Sequence, residues 1–118
     1  MDIRRAGYWV ATSAVALAMI AGGTADFLLL EPVKEAMDHL GYPYYFARIL
    51  GFWKVLGGIA IAAPGFRRLK DWAYAGIFFD LSGAFASHLA VGDGVANFAP
   101  PLLLAIALVV SYQLRWAR

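Results

Sequence analysis

The chain has 118 residues, of which 62% are hydrophobic and only 15% are charged. This composition is too apolar for an ordinary soluble domain of that length, and it predicts an integral membrane protein. The chain has no cysteine, which excludes disulfides, thiol redox relays and cysteine-ligated metals, and its net charge of +2 is small.

Four apolar blocks approach the roughly 20 residues that a helix needs to cross a bilayer. They cover about residues 8–30, 44–63, 72–91 and 98–114. The first block is too long for the apolar region of a signal peptide and lacks a cleavage site, so we interpret it as a retained helix. Because the blocks nearly exhaust the chain, we expect one all-α transmembrane domain over residues 1–118, an integral membrane four-helix bundle. Pro100 and Pro101 should stand at the start of the fourth helix.

The segment EPVKEAMDHLG, between the first two blocks, predicts a short additional helix. Pro32 stands at its start and Gly41 at its end, as is typical of helix boundaries. Val33, Met37 and Leu40 fall on one apolar face. We therefore expect a short interfacial helix in this first outer loop, with a solvated charged loop as the alternative.

Basic residues are distributed unequally between the two predicted sides. The side that holds both termini and the second loop carries Arg4, Arg5, Arg67, Arg68, Lys70, Arg115 and Arg118. The loops on the other side carry only Lys34. The positive-inside rule therefore predicts that both termini are cytoplasmic, and we expect the bacterial cytoplasmic membrane as the location. We interpret the RRLK patch as this topology signal, and no nucleic-acid partner is expected.

Polar residues inside or near the apolar blocks form the candidate site, because a charge within a bilayer is costly and is usually paired. The predicted cavity residues are Asp26, Arg48, Lys54, Asp80, Ser87 and His88. Lys54 and Asp80 lie near the middles of the second and third blocks, so we expect them to pair. Stripes of small residues on the same helix faces indicate that the ionisable groups converge on the bundle interior. The expected result is a polar cavity that opens to the outer side.

Structural explanations for the same residues stay open. Lys54 and Asp80 can be a buried ion pair that only fixes the helix register. Arg48 can extend to the outer headgroups, and His88 can be an interior histidine with a satisfied hydrogen bond. The acidic residues and histidines are scattered along the chain. We therefore expect neither a metal site nor an intrinsic cofactor.

Several motifs resemble the DoxX-like family of small four-helix membrane proteins. They are LGYP (40–43), KVLGG (54–58), PGFRRLKDWAYAG (64–76) and FDLSGAFASHLAVGD (79–93), within a resemblance that runs from about residue 21 to residue 112. The family's lysine followed by a Leu-Gly pair maps onto Lys54, Leu56 and Gly57. Its acidic residue and Ser-His pair map onto Asp80, Ser87 and His88.

The resemblance implies a fold more than a function. Some relatives accompany thiosulfate-oxidising, quinone-reducing complexes, and others resemble a membrane chaperone that assists assembly of acetylcholine receptors. One hypothesis is therefore a cavity for a small amphipathic ligand, a quinone or a lipid, in support of a membrane redox complex, with Lys54, Arg48 and His88 donating to its oxygens. The alternative is a non-enzymatic assembly factor that binds the helices of another membrane protein. Coupled transport, enzymatic activity and self-association stay open, and membrane lipid is the expected surrounding partner.

Overall fold

The computed structural model describes residues 2–63 and 67–117, which are 89% helical and contain no strand. The helices are α1 (Ile3–Leu28), α2 (Glu31–Leu40), α3 (Tyr44–Ala62), α4 (Arg67–Ala90) and α5 (Val95–Gln113), followed by a 3₁₀ turn at Arg115–Ala117. All-helical structure is therefore confirmed. The helix predicted between the first two blocks is present as α2, which begins with Pro32 in its first turn and ends at Gly41 in the left-handed conformation.

Three of the predicted helix starts are too late. α1 begins at Ile3 rather than residue 8, because the Asp2 carboxylate accepts a hydrogen bond from the Arg4 backbone N–H at 3.4 Å and caps the helix. α4 begins at Arg67 rather than residue 72, since the basic segment predicted as a loop is helical. α5 begins at Val95, so its two prolines lie inside the helix rather than at its start.

The four long helices pack side by side, with α1 against α3 and α5, and α4 against α3 and α5. The buried core is formed by Val15, Ala16, Met19, Ile61, Tyr74, Ile77, Leu81 and Leu108. The chain order places α2, the start of α3 and the end of α4 at one end of the molecule, which we term the α2 end. The start of α1, the end of α3, the start of α4 and the end of α5 lie at the opposite end, which we term the termini end.

Glycines bring the backbones of α1 and α3 into direct contact. A Cβ added to Gly23 would lie 2.7 Å from the Gly51 carbonyl oxygen and 2.8 Å from the Lys54 Cβ. A Cβ on Gly51 would overlap the Gly23 backbone in the same way and would lie 2.6 Å from the Phe27 backbone nitrogen. Only residues without a Cβ allow this approach, and the contact fixes the position of α1 along the axis of α3.

Lys70 closes the C-terminal end of α3. Its side chain is buried, and its Nζ donates to the Ile61 carbonyl oxygen at 2.9 Å. A cation at this position satisfies an orphan carbonyl and complements the helix dipole. The sequence pattern treated Lys70 only as a loop charge, whereas the structure gives it a contact within the fold. Arg118, which was counted with it, lies outside the described residues.

Two helices, α1 and α3, are long and apolar enough to cross a membrane by length and composition. Only 33% of the apolar window in α1 and 28% of that in α3 is buried inside the protein. A core helix of a soluble protein would be mostly buried, and α3 lies too far from the N-terminus to be a signal sequence. Large apolar side chains such as Leu17, Phe52 and Phe79 are exposed instead. These features indicate a membrane protein.

Candidate functional site: an ion triad beside an apolar cavity

Lys54 is held between two carboxylates from neighbouring helices. Its Nζ lies 2.8 Å from Oδ2 of Asp26 on α1, which is a hydrogen-bonded ion pair. The same nitrogen lies 3.8 Å from Oδ2 of Asp80 on α4, which is an ion pair without a hydrogen bond. The three side chains are 22%, 16% and 15% exposed for Lys54, Asp26 and Asp80. We term this group the ion triad.

The predicted Lys54–Asp80 pair is therefore present only as the longer of two contacts, and the nearer partner is Asp26. Asp26 was not expected to pair with Lys54, and it lies close to the C-terminal end of α1. The Gly23–Gly51 contact draws α1 onto α3 and brings Asp26 to the depth of Lys54. No comparable close approach joins α3 to α4 here, because a cavity lies between them.

A cavity of about 560 Å³ lies between α3 and α4, with Lys54 and Asp80 as the charged residues of its described lining. Its other described lining residues are apolar or glycine: Met19, Leu50, Trp53, Leu56, Gly57, Ile59, Ala60, Ala63, Leu69, Trp72, Ala73, Gly76 and Ile77. Several of these, including Ala63, Leu69 and Trp72, lie toward the termini end. Lys54 and Asp80 of the ion triad therefore form a polar head for a long apolar space.

The expected polar cavity with six converging residues is not what the structure shows. Asp26, Arg48, Ser87 and His88 do not line the cavity beside Lys54 and Asp80. Arg48 is exposed and makes no hydrogen bond or ion pair within the described part of the chain. It lies on a different face of α3 from Lys54, so its guanidinium turns away from the interior.

His88 and Ser87 belong to a second polar group at the α2 end. His88 Nδ1 lies 2.5 Å from Asp93 Oδ2, and His39 Nε2 on α2 lies 2.6 Å from Asp93 Oδ1. One carboxylate therefore joins two imidazoles, an arrangement we term the outer cluster. The hydrogen bonds from His88 and then His39 lower the pKa of Asp93 below its usual range. Within residues 2–63 and 67–117, no three His, Cys, Asp or Glu side chains are placed to hold a metal ion.

Two tyrosines add to the attachment of α2. The Tyr42 hydroxyl lies 2.6 Å from the Ser87 hydroxyl, and the Tyr44 hydroxyl donates to both oxygens of Asp38 at 3.0 Å. The sequence analysis missed Asp93 as the partner of His88, and it missed the His39–Asp93 contact because these residues are 54 positions apart. A usable signal was the Gly92–Asp93 turn, because Gly92 has φ +78 and turns the chain back toward the end of α4.

A third polar group is buried near the termini end. Ser111 Oγ lies 2.5 Å from the Thr12 hydroxyl and 2.7 Å from the Tyr74 hydroxyl. Tyr8, whose side chain is fully buried, lies against this group. Tyrosines near the ends of membrane helices often face the lipid headgroups. The rings of Tyr8 and Tyr74 pack in the interior instead.

The sequence comparisons give one match. The sequence model of the DoxX-like family matches residues 10–111, which cover all of the ion triad and the outer cluster. No functionally curated protein and no solved structure matches the chain.

Proposed function

The chain belongs to the DoxX-like family, and from that membership we propose that it is a membrane-spanning four-helix bundle that binds a small amphipathic molecule between α3 and α4. The observation that carries the proposal is the apolar cavity that ends on Lys54 and Asp80. An apolar space with a few polar groups at one end is the usual form of a small-molecule site. No catalytic step is part of this proposal.

The membrane part of the proposal rests on helix length and surface. The four long helices contain 19 to 26 residues, which gives about 28–39 Å at 1.5 Å per residue. That length matches a hydrocarbon layer of about 30 Å. The exposed apolar side chains of α1 and α3 would contact lipid, and α2 would lie on the outer surface of the bilayer. The charge distribution supports a cytoplasmic position for both termini.

The ligand part of the proposal rests on the position of the cavity. Trp53, Ile59 and Trp72 lie along it, so a hydrocarbon tail would find apolar walls along its length. The head of the molecule would then meet Lys54 and Asp80. A quinone or a lipid has this amphipathic form, and support of a membrane redox complex is the proposed context. Of the three hydrogen-bond donors expected for a quinone, Lys54 lines the cavity, whereas Arg48 and His88 lie outside it.

A direct test uses the two tryptophans in the cavity wall as reporters. In a background of Trp9→Phe and Trp116→Phe, Trp53 and Trp72 are the remaining tryptophans. An ω-brominated dodecanol, titrated into the protein in nanodiscs, should quench their fluorescence in a saturable way. A short-tailed quinone added as competitor should restore fluorescence if it occupies the same space. Quenching that rises linearly, without saturation, would show lipid-phase collisions only and would contradict the site.

Matched glycine variants locate the quenching in the cavity. A Cβ on Gly76 meets nothing within 4 Å, and Gly76 lines the cavity, so Gly76→Leu should fill the space without displacing the backbone. A Cβ on Gly83 also meets nothing within 4 Å, but Gly83, two turns further along α4, does not line the cavity. Gly76→Leu should abolish saturable quenching and Gly83→Leu should retain it.

The assembly-factor alternative gives different results in the same preparation. Gly76→Leu would then leave the binding of the partner membrane protein unchanged. That partner would co-purify in fixed stoichiometry without a small molecule. Topology is tested separately, with reporter fusions after residue 118 and within residues 91–97. The two positions should report from opposite sides of the membrane, with the C-terminal fusion in the cytoplasm. A C-terminal reporter on the outer side would contradict the proposed orientation.

A further inference from the structure

The ion triad, of which Lys54 and Asp80 line the cavity, carries more negative than positive charge. In their ordinary ionisation states Lys54 contributes one positive charge, whereas Asp26 and Asp80 contribute two negative charges. The nearest candidates for a second cation do not compensate. Arg48 is exposed on another face of α3, and His88 hydrogen-bonds to Asp93 in the outer cluster. The described cavity lining includes no basic residue besides Lys54.

The hydrogen bonds of the triad also leave acceptor sites on Asp80 unused. The Lys54 ammonium donates to Asp26, which does not line the cavity. Asp80 does line the cavity, and its carboxylate accepts no hydrogen bond within the described part of the chain, since Lys54 stays at 3.8 Å. An ionised carboxylate has about four acceptor sites on its two oxygens. A mostly buried carboxylate with unused acceptor sites is costly, and a donor brought by a ligand would relieve that cost.

We infer that the cavity takes an amphiphile with a cationic, hydrogen-bond-donating head of the alkylammonium type, with Asp80 as its direct partner; this inference rests on the proposed function and specifies its ligand class. The ammonium head donates to the Asp80 oxygens and balances the negative charge of the triad. The hydrocarbon tail lies along the apolar wall that includes Trp53 and Trp72. Charge-assisted hydrogen bonds of this kind are about twice as strong as neutral ones.

Heads of the opposite character fit less well. A carboxylate head would add a third negative charge beside Asp80. A quinone carbonyl only accepts hydrogen bonds, so it would accept from an N–H group of Lys54 that Asp26 does not use, and it would leave Asp80 unsatisfied. An alcohol donates one hydrogen bond to the carboxylate but brings no positive charge, so it should fall between these cases. The expected order of affinity is therefore ammonium, then alcohol, then quinone and carboxylate.

The experiment compares ω-brominated dodecyl probes that share one tail and differ only in the head: primary amine, alcohol and carboxylate. Each is titrated against the Trp9→Phe, Trp116→Phe protein in nanodiscs at pH 7. Quenching in the Gly76→Leu form is subtracted for every probe, which removes differences in lipid partitioning. The dissociation constant of the amine should be about tenfold to a hundredfold lower than that of the alcohol. A hydrogen bond between charged groups typically changes affinity by that factor.

Substitutions of Asp80 test the assigned contact. Asp80→Asn should reduce the amine-to-alcohol ratio to about one, because the neutral amide has lost the charge. Asp80→Glu should keep the preference and shows that the folded protein tolerates changes at this position. Asp71→Asn is the matched control, since Asp71 is an exposed carboxylate on the same helix that does not line this cavity, and it should leave the ratio unchanged.

The outcomes separate the inference from the proposed function. Saturable quenching by all three probes with equal affinity, or tightest binding of the carboxylate, would overturn the inference and leave the proposed function in place. A preference for the amine that survives Asp80→Asn would also overturn it. Absence of saturable quenching by any probe would overturn the proposed function and the inference with it.

Discussion

The ion triad and the outer cluster are opposite in charge arrangement. In the triad one ammonium lies between two carboxylates, whereas in the outer cluster one carboxylate lies between two imidazoles. The surroundings differ as well. All three triad side chains are less than one quarter exposed, as are His88 and Asp93, whereas His39 in the outer cluster is 52% exposed.

This difference assigns the two groups different tasks. The triad holds fixed charges in apolar surroundings, where an unpaired charge is expensive and the pairing must persist. In the outer cluster the His39 imidazole is about half exposed, so its contact with Asp93 is worth less and is exchanged more easily. The triad therefore stabilises the packing of α1, α3 and α4, whereas the outer cluster attaches α2 to the end of α4.

Removal of the central cation should have the largest effect. Lys54→Met leaves Asp26 and Asp80 without a counter-charge in a mostly buried position, and we expect a loss of about 3–5 kcal/mol in the free energy of unfolding. The measurement is denaturant unfolding in detergent micelles. Because both carboxylates contact Lys54, adding Asp80→Asn alone should restore only part of the loss, and the triple variant with Asp26→Asn should restore most of it. Full recovery in the Lys54→Met, Asp80→Asn double variant would contradict the triad.

A single methyl group added at the α1–α3 contact should disturb the ion triad and leave the outer cluster unchanged. Gly51→Ala places a Cβ against the α1 backbone, and overpacking of this kind costs about 1–3 kcal/mol. The α1–α3 separation should increase and weaken the Lys54–Asp26 hydrogen bond, while the outer cluster stays intact. Gly83→Ala, where the added Cβ meets nothing within 4 Å, is the control and should leave stability nearly unchanged. Equal stability of the two variants would show that the close approach is unimportant.

Asp93→Asn should release α2 with a smaller effect on global unfolding. The pKa of Asp93 is lowered in the folded state by its hydrogen bonds to His88 and His39. Its contribution is therefore fully present above the unfolded pKa of about 3.9 and is lost as the pH falls through the lower folded value. Hydrogen exchange at pH 6 should be faster across α2 in the variant than in the wild type. In thermal unfolding, the difference between the two proteins should shrink below about pH 4.

The hydrogen-exchange rate of α3, compared with that of α2, is the control for Asp93→Asn. Amides of α3 around Lys54 should exchange at the wild-type rate, because the triad is independent of the outer cluster. Uniformly faster exchange in both helices would mean that the two polar groups unfold together, and the comparison between them would be wrong.

Arg48→Gln should have the smallest effect. Arg48 is exposed and has no hydrogen bond or ion pair among the described residues, so stability should change by no more than about 0.5 kcal/mol. Binding of the brominated amine should also be unchanged, since Arg48 does not line the cavity. A marked loss of binding on substitution would place Arg48 in the site after all, as the sequence pattern predicted.

Much of the helical organisation was predictable from local sequence, and some boundaries were not. The apolar blocks identified the four long helices, and Pro32 with Gly41 identified α2. The starts of α1 and α4 were missed because basic residues interrupt the apolar pattern while still having good helix propensity. Helix formation responds to propensity and capping, whereas the pattern used for the prediction responds to hydropathy.

The candidate site was predicted only in part. Lys54 and Asp80 were identified because charges in apolar blocks are costly and stand out in any sequence. Arg48, Ser87 and His88 were assigned to the same cavity, but the structure places Arg48 on the surface and the other two at the α2 end. Depth along a helix can be counted from the sequence, but rotation around its axis relative to three neighbours cannot.

The sequence alone determined that the chain is helical and apolar, which residues carry charge inside it, and where α2 begins and ends. These properties depend on composition, periodicity and local backbone preferences. Only the tertiary structure decided that Lys54 bonds to Asp26 in preference to Asp80, and that His39 and His88 share Asp93. The physical reason is that side-chain pairing depends on how closely the helix backbones approach one another. Here that distance is determined by glycine contacts between α1 and α3 and by the cavity between α3 and α4.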